Sequence, residues 1–241
     1  MPTDFPTPSQ PVSPSQPLSS PRGAQARERM LMAALDLFGQ HGFEATTTRM
    51  VAQHAGMNLG AIPYYFGAKE DLYTQSATFL ADYMAQRQSP ALVALQLGVS
   101  QQITPEVLSE LIADFLIEHA RLLMTEEVPA SWLMFFLRAQ TETHLDGFEP
   151  LYGRVIAPMQ STLCRLIAPL IGQEPDAAPT RLFTFNLCQQ VLTHRLFDRV
   201  LVRRMDWESL SPERGNEVLA MLRRTLIDQL MGAQRAHLSP R

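Results

Sequence analysis

Between Thr47 and Lys69 the chain gathers hydroxyl, amide, phenol and cationic side chains: Thr47, Thr48, Arg49, Asn58, Tyr64, Tyr65 and Lys69. Groups of these types donate hydrogen bonds to anionic oxygen and read the edges of nucleobases. A guanidinium matches the acceptor pair of a guanine or a phosphate, and a phenol reaches phosphate or lies against a thymine methyl group. The alternative for Arg49 is a solvated arginine. One of the two tyrosines can pack into a core, and Tyr64 is the better candidate for a phosphate. Gly60 and Ala61 stand among these residues and are small enough for close backbone approach to another surface, or simply for helix packing.

Sequence patterns for catalysis are missing. The chain contains no G-x-S-x-G, no P-loop and no G-x-G-x-x-G. Glu142-x-His144 lacks the H-E-x-x-H spacing that zinc hydrolysis needs on one helix face. His119 and His194 read first as core or surface residues. Cys164 and Cys188 read as buried thiols rather than a redox pair, since nothing nearby in sequence would lower their pKa. The expectation is a chain that is not an enzyme and uses no cofactor or metal.

The elements that would position the polar set are short. Thr47 is the preferred N-cap of a first helix, with Thr48 the alternative; its hydroxyl accepts an orphan backbone N–H. Val51, Ala52 and Ala55 follow at helical spacing. Gly56 supplies the left-handed conformation that ends the helix. Asn58 reads as the cap of a second helix, with Ile62 and Phe66 buried and Gly60, Ala61, Tyr64 and Tyr65 on the opposite face. Counted from that cap, Pro63 falls at the fifth helical position, where it removes a hydrogen bond and predicts a tightened or kinked helix. Lys69 opens a third helix. The arrangement is a helix-turn-helix, whose second helix is of the kind that enters a major groove.

With these residues in place, the stretch from about Arg27 to Tyr73 resembles the DNA-binding domain of the TetR family of bacterial transcriptional regulators. The resemblance rests on Leu35, Phe38, Gly42, Phe43, Thr47, Val51, Ala52, Gly56, Gly60, Tyr64, Phe66, Lys69 and Leu72. Pro63 departs from it, since the family most often has an aromatic there. The resemblance implies double-stranded, palindromic operator DNA as partner. Its DNA-facing set would be Thr47, Thr48, Arg49, Asn58, Gly60, Ala61, Tyr64, Tyr65 and Lys69, with Lys69 on a phosphate.

A net charge of −4 argues weakly against a nucleic-acid binder, but only a small surface need be positive. From Arg22 to Gln88 the basic residues Arg22, Arg27, Arg29, Arg49, Lys69 and Arg87 are balanced by Glu28, Asp36, Glu44, Glu70, Asp71 and Asp82. Backbone amides and hydroxyls must therefore carry many phosphate contacts. The 241 residues are 46% hydrophobic and contain no apolar run long enough for a membrane span, so no membrane partner is expected. Two cysteines and no recognisable signal peptide fit a reducing cytoplasm.

Residues 1–23 form a Pro/Ser-rich tail that cannot bury a core. Its P-x-x-P spacings could suit an SH3-type groove, and Arg22, Arg27 and Arg29 at its end could reach DNA or be solvated. The helix-turn-helix domain is expected over 24–70 and a larger helical effector-binding and dimerisation domain over 71–235. The first helix is expected over 25–40, ended by Gly42 with Phe43 folding back. The helix from Lys69 is expected to run to about Arg87 and stop at Ser89-Pro90. Thr104-Pro105-Glu106 starts another helix. Further helices are expected over 129–142, 148–171, 180–204 and from 212 onward. With no period-two alternation, the fold class is all-α.

The body more weakly resembles the TetR subgroup typified by CecR, through Tyr152, Val155, Ile156, Pro158, Leu163, Gly172, Arg181, Arg195 and Trp207 among others. The candidate effector-binding residues are Phe115, His119, Trp132, Phe135, Phe136, Asn186 and Gln190. The run from Trp132 to Phe136 is too wide for one buried face, so it meets a pocket, a partner or a second core. Asn186, Gln190 and Thr193 meet a ligand, line a wet pocket or pair across a dimer. The resemblance implies a homodimer built from the last two long helices. It also implies a small-molecule effector and, most simply, a repressor. A regulator governed instead by a protein partner is the alternative.

Overall fold

The computed structural model describes residues 20–98, 103–124 and 128–238. Every regular element among them is helical: α1 (Pro21–Ala45), α2 (Thr48–His54), α3 (Ala61–Phe66), α4 (Lys69–Gly98), α5 (Pro105–Met124), α6 (Ala130–Ala139), α7 (Phe148–Leu151), a π-helical turn (Tyr152–Ile156), α8 (Ala157–Ile171), α9 (Ala178–Leu196), α10 (Asp198–Arg204) and α11 (Pro212–Leu238). The all-α expectation holds. Most of the Pro-rich tail, residues 1–19, lies outside the described residues. Pro21 to Gly23, expected in the tail, are helical, because Ser20 caps α1 by accepting from the Gly23 N–H at 3.0 Å and Pro21 stands in the first turn.

The chain divides into two compact units. The first runs through Ala81 and also takes in Pro129–Leu151; the second runs from Asp82 to Val128 and from Tyr152 onward. The units divide between Ala81 and Asp82, and α6 lies in the first of them.

In the first unit, Gly42 breaks α1 with φ 80° and ψ 172°. Phe43 then folds back onto Phe38 (5.8 Å between ring centres) and Tyr73 (5.5 Å). Phe135 of α6 completes this cluster, 4.8 Å from Tyr73 and 6.4 Å from Phe38. The Tyr73 hydroxyl donates to Glu142 Oε2 at 2.8 Å, and burial beside that carboxylate pushes its pKa far above the ordinary phenol value. Burying each such aromatic contributes about 1.5–3 kcal/mol.

In the second unit, α5, α8, α9 and α11 share a core that includes Ile112, Leu116, Leu163, Ile167, Leu187 and Val191. The Leu219, Leu222, Leu226 and Leu230 stripe of α11 is buried in this core within a single chain. Thr104 caps α5 as expected. Arg223 grips Asp114 at 2.6 and 3.2 Å and Arg121 donates to Asn216 at 3.1 Å, tying α11 to α5.

Further helix boundaries differ from the sequence expectation. The stop at Ser89-Pro90 does not occur, and α4 continues through Pro90 to Gly98. The carbonyl that Pro90 leaves without a donor is that of Gln86; both residues are exposed, so water can satisfy it. The helix expected over 148–171 is divided by the π turn just before Pro158, which then sits in the first turn of α8. The helix expected over 180–204 breaks at Phe197 (φ −116°, ψ 29°) into α9 and α10.

Candidate nucleic-acid interface

Three threonines at the start of α2 divide their work. Thr46 is fully buried, and its single hydroxyl hydrogen is directed at the carbonyl of Gly42 (2.8 Å), with that of Leu37 also within reach (3.1 Å). Thr47 is the N-cap, accepting from the Met50 N–H at 3.2 Å. Thr48 is the first helical residue and is half-buried. Arg49 follows on the outer side of α2, exposed, with no carboxylate partner among the described residues.

The turn between α2 and α3 uses Gly56 at φ 65°. The second helix then begins later than expected. Asn58 is exposed and its carbonyl accepts from the Ala61 N–H at 2.9 Å, but the capping position belongs to Gly60. This shift removes the expected kink. Pro63 is the third residue of α3, and a first-turn N–H has no intrahelical acceptor to lose. Ile62 and Phe66 are buried as expected, and Ala61 is buried with them at 5% exposure. The expectation that Ala61 faces outward is therefore corrected: with the helix starting at residue 61, its methyl packs inward beside Ile62. Gly60 is exposed, with open space where a Cβ would be.

Tyr64 is exposed, and Tyr65, half-buried, meets it edge-on at 5.1 Å. Lys69 opens α4, with Glu70 and Asp71 behind it in the first turn. Its ammonium lies 4.0 Å from the centre of the Phe43 ring, so the only lysine of the chain is held against the aromatic cluster by a cation–π contact. Arg27 is occupied, donating to Gln75 at 2.5 Å and lying over Phe66, while Arg29 reaches Met57 Sδ at 3.5 Å. The residues left outward are thus Thr47, Arg49, Asn58, Gly60 and Tyr64, with Thr48, Tyr65 and Lys69 half-exposed.

Asp36 has no role in the sequence reading beyond its charge. It accepts from the Ser131 hydroxyl at 2.6 Å and the Trp132 indole N–H at 3.1 Å, and its other oxygen is 3.9 Å from His54 Nε2 at the end of α2. One carboxylate thus joins α6, α1 and the first helix of the motif. The only signal for it is an acid interrupting the apolar run Leu35-Asp36-Leu37-Phe38.

The expected effector residues fall into two groups. Trp132, Phe135 and Phe136 are buried in the first unit, where Trp132 also meets Phe79 at 6.1 Å. Phe135, at 0% exposure, is core of the head, so the width of this aromatic run is explained by its packing on α1 and α4. In the second unit, Phe115 is buried on α5. His119 is half-buried but its Nδ1 is sealed from solvent without a hydrogen-bond partner, and burial depresses its pKa to about 4. Gln88 Nε2 on α4 is likewise sealed and unpaired. Gln190 instead pairs with Gln229 of α11 at 2.8 Å, and Asn186 is exposed. Cys164 and Cys188 are both buried free thiols, and burial pushes Cys188 up to about 12. The side chain of His194 lies outside the described residues. Among the described residues, no group of side chains could hold a metal ion and no helix is long and apolar enough to cross a membrane.

Comparison with known proteins agrees with this geometry. Residues 30–75 match the bacterial regulatory proteins of the tetR family, and residues 106–233 match the C-terminal domain of the HTH-type transcriptional dual regulator CecR. The chain is 32% identical to the HTH-type transcriptional dual regulator CecR of Shigella flexneri over 201 residues, covering 83% of this chain and 89% of that protein. In fold, it resembles a transcriptional regulator from Pseudomonas aeruginosa (TM-score 0.58, 16% identity, 89% and 94% of the two chains) and AmtR of Mycobacterium smegmatis (TM-score 0.50, 24% identity, 96% and 99%). A helix-turn-helix with an outward polar set, followed by a matching regulatory body, places the chain in the TetR family of DNA-binding transcriptional regulators, with a C-terminal domain of the CecR type.

Proposed function

We propose that this regulator acts in the cytoplasm as a homodimer on a palindromic operator, chiefly as a repressor, and that a small, largely apolar effector entering the second unit releases it. The observation that carries the DNA-binding part is the outward set around Arg49 and Tyr64 on α2 and α3, held by an internally satisfied scaffold. Two such heads about one helical turn apart, ~34–36 Å, would read successive major grooves.

The dimer reading is supported by large apolar side chains left exposed on α9 and α11: Leu182 at 63%, Phe185 at 46% and Met221 at 59%. Soluble chains rarely leave such side chains uncovered together. The effector reading is supported by His119 Nδ1 and Gln88 Nε2. Buried polar atoms are nearly always hydrogen-bonded, and a ligand with polar atoms of its own, like an ordered water, would give these two the partners the chain does not supply. A ligand shifts the DNA equilibrium only by its differential affinity for the two states, so it must favour a head spacing that does not fit the operator.

Footprinting on DNA upstream of the regulator's own gene tests the reading. A protected near-palindrome, lost in the double variant Tyr64→Ala/Lys69→Ala, is the expected result. Protection that survives that variant would contradict it.

A further inference from the structure

The second unit carries a cleft that the regulator reading leaves unused. The π turn, α8 and the loop leading into α9 line an open cleft of about 600 Å3, within the range of small-molecule sites. Its wall includes two guanidinium groups, Arg165 from α8 and Arg181 from the first turns of α9. Arg165 donates to Thr162 Oγ1 at 3.1 Å on its own helix and has no carboxylate partner among the described residues. Arg181 is paired with Asp176 at 3.0 Å, but both are well exposed, and an exposed pair contributes little and exchanges readily. Asp176 is the only acid on the wall, so the cleft keeps a net positive charge.

The rest of the lining suits a small organic body rather than a bare ion. Tyr152 lines the cleft from the π turn, a rare element found frequently at functional sites. Gln160 and Ser161 add uncharged donors and acceptors, and Ala157 and Pro175 add apolar surface. The planar fork of arginine matches a carboxylate with two parallel hydrogen bonds.

We propose that this cleft is a second ligand site, which binds a small aromatic carboxylate with its acid group between Arg165 and Arg181 and its ring against Tyr152. The site goes beyond the effector reading above and involves neither the DNA-facing residues nor His119 and Gln88.

The test uses the full chain in phosphate-free buffer, titrated with 4-hydroxybenzoate and, as the uncharged probe of the same shape, 4-hydroxybenzamide. Ligand-observed NMR reads the affinity. The acid should bind about tenfold more tightly than the amide. Arg165→Gln and Arg181→Gln should each weaken it about fivefold or more, and Arg165→Lys, which keeps the charge but loses the fork, should fall between. Asp176→Asn should strengthen binding, because it frees Arg181. Both arginines are at the surface, so the variants should keep wild-type helicity and oligomeric state. Equal binding of acid and amide, no binding of either, or binding indifferent to both arginines would overturn the proposal. Displacement by inorganic phosphate as effective as by the acid itself would reduce the cleft to a general anion site and overturn it too. Dissociation of the oligomer by either glutamine variant would assign the cleft to contact between copies and likewise overturn it. No readout involves DNA, so failure here is distinguishable from failure of the regulator reading.

Discussion

A Cβ on Gly39 of α1 would lie 1.9 Å from the carbonyl oxygen of Ser131 at the start of α6. The obstacle is backbone, so it cannot rotate away, and the two helices can meet this closely only because residue 39 has no side chain. Arg138 reinforces the contact by donating from Nε to the Gly39 carbonyl at 3.1 Å. Gly39→Ala should therefore destabilise the first unit by about 1–3 kcal/mol, the usual cost of overpacking. The control is Gly215→Ala in α11, where a Cβ meets open space. There the better helix propensity of alanine should add about 0.5–1 kcal/mol. Urea unfolding of the two variants checks both signs.

Asp36 satisfies Ser131 and Trp132 at once, so its loss strands two donors in a partly buried place. Asp36→Ala should cost about 1–3 kcal/mol, and Asp36→Asn, which keeps one acceptor oxygen, should cost less. Denaturation midpoints of the three proteins give the comparison. An alanine variant as stable as the wild type would remove this carboxylate from the account.

Phe135 is fully buried and packs against the rings of Phe38 and Tyr73. Phe135→Ala should cost about 3–5 kcal/mol through the cavity it leaves. The expected signature is a lower melting temperature with DNA affinity weakened in step. Unchanged stability with altered response to a ligand would instead mark an effector pocket.

His119 supplies a pH dependence. Its folded pKa, about 4, lies below the ordinary value of 6.5, so the native state resists protonation that the unfolded chain accepts. The resulting stability is present in full above pH 6.5 and is lost as pH falls from 6.5 towards 4. A shift of this size corresponds to about 3 kcal/mol at most. His119→Phe should flatten the wild-type loss in that window, read from urea midpoints at pH 7, 5.5 and 4.5.

The helix-turn-helix is legible in the sequence because its signals are local. Thr47 acts through its own hydroxyl and Gly42 and Gly56 through their own backbone conformations, and the structure uses each as read. Asn58 misleads because it is a good capping residue, whereas Gly60, the cap used, has no side chain to announce it. That single displacement also made Pro63 look disruptive and Ala61 look outward. The place of α6 is illegible for a different reason. An apolar run such as Trp132-Leu133-Met134-Phe135-Phe136 states that it must be covered but not by what, and its partner, Gly39, signals only by lacking a side chain. Gln190 is similar: its spacing suggested a polar site, and only the fold supplies Gln229.

The most direct test of the central claim is the salt dependence of operator affinity, measured by fluorescence anisotropy for the wild type and Arg49→Ala. A head that meets phosphates from two protomers predicts a steep linear fall of log K with log salt. Arg49→Ala should lower affinity by about 1–3 kcal/mol if Arg49 reads a base, or make the slope shallower by about 1 per site if it meets a phosphate. Unaltered affinity and slope in the variant, or wild-type binding indifferent to salt, would contradict the assignment of α2 and α3 to DNA.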